Sequence, residues 1–75
     1  MGRVNQKNLL KFIMDFESGN INLEATAELF SYLVQTGQAW TLQGTYGRTA
    51  MDLINAGIIN RNGRINRKKL QEMGL

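Results

Sequence analysis

A chain of 75 residues with no cysteine and no histidine has no disulfide, no thiolate chemistry and none of the usual zinc ligands. Its length allows one domain, 1–75. A domain of this size buries only about 60% of its unfolded surface, so a homo-oligomer is one route to extra stability.

The formal net charge is +3, and its distribution says more than its total. Residues 1–11 carry Arg3, Lys7 and Lys11 and no acid. Residues 12–56 carry Asp15, Glu17, Glu24, Glu28 and Asp52 against Arg48 alone. Residues 57–75 carry Arg61, Arg64, Arg67, Lys68 and Lys69 against Glu72. Basic ends flank an acidic centre. Clustered Arg and Lys are the electrostatic footprint of a nucleic-acid binder, and ordinary solubilising surface is the alternative. No apolar stretch approaches the roughly 20 residues of a membrane span, and nothing reads as a signal peptide. A cytoplasmic protein with no membrane partner is expected.

Leu9, Phe12, Ile13 and Phe16 fall on one face of a helix from about 5 to 16. Ser18-Gly19-Asn20 ends it. Asn22 is an N-cap for a second helix, with Glu24 in its first turn and Leu23, Ala27, Phe30, Leu33 and Val34 at helical spacing. Gly37 stands at its C-terminal end. Glu24 and Glu28, at i and i+4, read as a solvated face of this helix. Residues 38–43 form a short helix or turn around Trp40. That tryptophan is expected to be a core or boundary anchor, with ligand stacking as the other reading.

Tyr46, Ala50, Leu53 and Ile54 give a third helix that ends at Gly57, with Ile58 folding back onto Leu53. Asn62-Gly63 signals a two-residue type I′ turn, which pairs Arg61 with Arg64 and Asn60 with Ile65. Facing arginines and isoleucines on opposite faces count against that hairpin. Asn66 caps a last short helix over 67–73. The expected fold is all-α: three main helices, a short C-terminal helix and a small hairpin at 58–66 as an option.

Nothing here makes a catalytic site. The only serines, Ser18 and Ser31, have no histidine to activate them. The stretch Gly44-Thr45-Tyr46-Gly47-Arg48-Thr49-Ala50 lacks the endings of a phosphate-binding loop. No catalytic residue, metal or cofactor is expected. The same stretch does open a helix, whose free N–H groups and positive dipole end favour anions. Arg48 there either meets an external anion or pairs with Asp52 at i+4.

Residues 45–65 resemble the recognition helix and wing of a winged-helix DNA-binding domain. That resemblance implies a helix start in the major groove and a basic hairpin on phosphate. A second resemblance rests on Leu29-Phe30, Leu33-Val34, Thr36-Gly37, Ala39-Trp40, Leu42-Gln43-Gly44, Tyr46-Gly47-Arg48-Thr49-Ala50, Leu53-Ile54 and Ala56-Gly57. These residues are similar to a group of small proteins encoded by tailed bacteriophages. The group implies an origin, and with it the host cell cytoplasm, but no established activity. The expectation is a phage-encoded, non-enzymatic DNA-binding protein. Thr45, Tyr46, Arg48 and Thr49 would meet nucleic acid at the helix start, and Arg61, Arg64, Arg67, Lys68 and Lys69 would meet phosphates. The rival is a protein that docks on a host or phage protein through the surface around Trp40 and Tyr46.

Overall fold

In a computed structural model, residues 4–74 are described, with side chains through Glu72. Four helices follow in order: α1 Leu9–Ser18, α2 Leu23–Gln35, α3 Gly44–Asn55 and α4 Arg67–Gly74. A 3₁₀ turn, Gln38–Trp40, joins α2 to α3. Among the described residues there is no strand, only an isolated antiparallel bridge between Ile59 and Ile65.

The first helix starts later than its apolar pattern suggested. The Asn5 N–H donates to Asn8 Oδ1 at 2.8 Å, and the Asn8 N–H donates to Asn5 Oδ1 at 3.2 Å. Asparagine side chains compete in this way with helical backbone bonds, so residues 5–8 form a turn and α1 begins at Leu9. By contrast α2 starts where expected, with Asn22 Oδ1 accepting from the Ala25 N–H at 2.7 Å.

The central element is α2. Ala27, Glu28, Leu29, Phe30, Ser31, Leu33 and Val34 are all buried, which is the burial of a helix enclosed on most sides. Helices α1, α3 and α4 and the 3₁₀ turn all pack on it. Phe30 meets Phe16 of α1 edge-on at 5.2 Å and Tyr46 of α3 at 6.1 Å, and Phe16 lies 5.3 Å from Tyr46. Three rings thus join three helices at the centre of the core, in separations typical of favourable aromatic pairs.

The third helix ends as its sequence suggested. Gly57 has φ +81°, the Ile58 N–H donates to the Leu53 carbonyl and the Gly57 N–H donates to the Ile54 carbonyl, both at 3.0 Å. These two bonds make a Schellman motif. Asn66 caps α4, accepting from the Lys69 N–H at 3.1 Å.

The hairpin register differs from the two-residue turn by one position. The Gly63 N–H donates to the Asn60 carbonyl at 2.9 Å, and the Asn60 N–H donates to the Arg64 carbonyl at 3.0 Å. Asn62 keeps a negative φ, which excludes type I′, and only Gly63 is left-handed, with φ +86°. This is a three-residue loop, a type I turn followed by a glycine bulge. The extra residue sets Ile59 opposite Ile65, so both isoleucines face the interior and the arginines no longer face each other. Nor does the loop project as a wing. Gly63 is buried against α2, and Gln35 Nε2 donates to its carbonyl at 3.3 Å.

Candidate nucleic-acid interface

Helix α3 carries Thr45, Tyr46, Arg48 and Thr49, and the other expected contact residues lie beyond its C-terminal end, on the hairpin and α4. At its start Arg48 is exposed and donates to Thr45 Oγ1 at 3.4 Å, and does not pair with Asp52. Thr45 is exposed and Thr49 half-buried. The N-cap residue, Gln43, makes no side-chain capping bond. These residues border an open hollow of about 590 Å³ that also includes Trp40, Gly44, Gly47, Met51 and Asp52.

Tyr46 has to be removed from this group. It is 4% exposed, because it begins the buried stripe of Tyr46, Ala50 and Leu53. Its hydroxyl donates to Glu17 Oε2 at 2.5 Å. Burial, then the hydrogen bond to Glu17, then that carboxylate's charge push the Tyr46 hydroxyl up from 10.0 to about 12. The neutral phenol is the form the fold favours. Its contribution is complete below the unfolded value near 10 and is lost as pH rises through about 12. Because Glu17 is exposed and solvent screens it, the loss should be about 1–2 kcal/mol rather than the full shift. Melting temperatures taken from about pH 9 to 12 should fall more in the native chain than in Tyr46→Phe; parallel curves would contradict this.

At the other end of α3 lies the second group. Arg61 and Arg64 are exposed on the hairpin and border a hollow of about 530 Å³ with Ile54, Gly57, Asn60 and Asn66. The Lys69 side chain runs beside Gly57, where an added methyl group would be 3.9 Å from it. Lys68 is exposed on α4. The rise of about 1.5 Å per helical residue sets Arg48 roughly 13 Å along the axis from Gly57.

Arg67 is committed elsewhere. Its Nη2 donates to Glu28 Oε2 at 2.6 Å. The Glu28 side chain is fully buried while Arg67 remains 53% exposed. This corrects the expectation of a solvated Glu28, and it makes Arg67 first a clamp between α4 and α2. Among the described residues, Arg48, Arg61, Arg64, Lys68 and Lys69 form no ion pair. Sequence reasoning missed the Glu28–Arg67 pair and the Gly44–Gly47 floor of the hollow. The signal for the first was a carboxylate flanked by Ala27, Leu29 and Phe30.

Among the described residues, no helix is long and apolar enough to cross a membrane. No curated protein and no solved structure matches the chain. A family profile described as Domain of unknown function (DUF7417) matches residues 1–74. With nearly its whole length matched, the chain belongs to this family, Domain of unknown function (DUF7417).

Proposed function

We propose that this is a non-enzymatic DNA-binding accessory protein, encoded by a phage and acting in the host cytoplasm. The observation that carries the reading is the set of five cations, Arg48, Arg61, Arg64, Lys68 and Lys69, that no carboxylate pairs with among the described residues. Two features add support. The hairpin bearing Arg61 and Arg64 is held on α2 through Gly63, so its charges are placed rather than loose. The start of α3 offers N–H groups and a positive dipole end beside Arg48. Phosphate contacts of this kind position a protein on nucleic acid without reading its sequence.

Arg48 gives the sharpest single-residue test. A cation in the first helical turn opposes the dipole by a few tenths of a kcal/mol, and Asp52 does not offset it. Arg48→Ala should therefore leave the melting temperature unchanged or slightly higher. It should weaken binding to mixed-sequence duplex DNA by about 1–3 kcal/mol. A lower melting temperature with unchanged affinity would remove Arg48 from the interface.

One observation favours a second reading, docking on a host or phage protein. Trp40 and Leu42, just before α3, are 50% and 39% exposed, and Met51 within it is 41% exposed. Tyr46 is buried and contributes nothing to that surface. A mobility assay at low salt on duplex DNA, beside a pull-down from host lysate, separates the two readings.

A further inference from the structure

Trp40 is the chain's single tryptophan, and half of it is left in solvent. As a core anchor, one of the two structural roles expected of it beside that of a boundary anchor, the ring would be covered. Trp40 instead forms one wall of the hollow at the start of α3. The floor of that hollow includes Gly44 and Gly47, both inside a helix. Neither has the positive φ that calls for glycine. A methyl group on Gly47 would make only ordinary contacts, 3.7 Å from the Ala39 carbonyl oxygen and 3.9 Å from Trp40 Cε3. On Gly44 it would meet only the mobile tip of Arg48, at 3.3 Å. Alanine would fit at both positions and would strengthen the helix. The fold therefore does not need these glycines; Gly47 leaves open space beside the ring, and Gly44 leaves it beside the tip of Arg48.

Resting on the nucleic-acid reading above, we infer that this hollow is a stacking site for an unpaired base of single-stranded nucleic acid. The base lies against the Trp40 ring over Gly44 and Gly47, and Arg48 takes the adjoining phosphate. A duplex shows the ring only base edges, whereas a single strand can splay a base and offer its face. Arg48 supplies the positive charge for this occupant: among the described residues it forms no ion pair, not even with Asp52, the carboxylate one helical turn beyond it in the hollow. The cations at the other end of α3 then track the strand, as in channels that combine stacking rings with a basic groove.

The test uses the full chain, a single-stranded oligothymidine of about 15 nucleotides and a mixed-sequence duplex of equal length at low salt. Emission from Trp40 should be quenched by the single strand and much less by the duplex. The single strand should bind at least tenfold more tightly. Trp40→Ala should weaken single-strand binding by about 5- to 100-fold, and Trp40→Phe should keep most of the affinity. If Trp40→Ala fails to fold, as circular dichroism would show, the quenching and Trp40→Phe decide. Equal affinity for both nucleic acids, with unchanged emission, would overturn the stacking site and leave the phosphate-binding reading intact. Failure of both to bind at low salt would overturn both.

Discussion

Gly63→Ala should lower stability by about 2–5 kcal/mol, the largest effect expected of any single methyl group in this chain. Two costs add. A non-glycine residue at φ +86° carries a backbone penalty of about 1–2 kcal/mol. The new methyl would also lie 2.7 Å from the Ser31 carbonyl oxygen, 2.7 Å from Gln35 Cγ and 3.1 Å from the Gln35 N. Two of these atoms are helix backbone, so the hairpin must lift off α2, at an overpacking cost of about 1–3 kcal/mol. Gly57→Ala is the internal control. Its φ is similar, +81°, but its methyl would meet only the Lys69 side chain at 3.9 Å. It should lose only about 1 kcal/mol. Urea denaturation of both variants checks the pair. Equal losses would mean that the hairpin is not clamped to α2.

Arg67→Ala should lower stability by about 2–3 kcal/mol. Removing one partner of a buried ion pair typically costs about 3–5 kcal/mol. The lower figure applies because Arg67 is half exposed and water can reach the space it leaves. The pair is also the polar tie between α4 and α2. Amide hydrogen exchange in α4 should therefore quicken before exchange in α2. A thermal melt unchanged by Arg67→Ala would show that Glu28 does not depend on this partner.

Much of the fold was legible because local signals and the final packing agree. Asn22 caps α2, Gly57 ends α3 and Asn66 caps α4, each through a bond that its residue type makes readily. The departures arose where local and tertiary demands compete. Asn5 and Asn8 bond each other's backbone, which delays α1. Asn62-Gly63 is the strongest short hairpin signal, yet the two-residue turn would have split Ile59 from Ile65. The longer loop puts both isoleucines inside, and burial decides the register. The site was less legible. Tyr46 sits in a motif that suggested contact with a ligand, but its spacing to Ala50 and Leu53 already placed it on the buried stripe. Glu28 escaped because the carboxylate is paired with an arginine 39 residues away, a pairing no periodicity reveals. The openness of Gly47 depends on where Trp40 falls, which is again a tertiary fact.

Five cations that form no ion pair among the described residues should bind phosphate, and the salt dependence of DNA affinity tests this most directly. Fluorescence anisotropy on labelled DNA from about 50 to 200 mM salt should give a log–log slope of about −4 to −5 on duplex, or roughly −3.5 on a single strand. Replacing Arg61 and Arg64 together by alanine should make the slope less steep by about 2 on duplex. Binding that does not change with salt, or no binding at about 50 mM, would contradict the account.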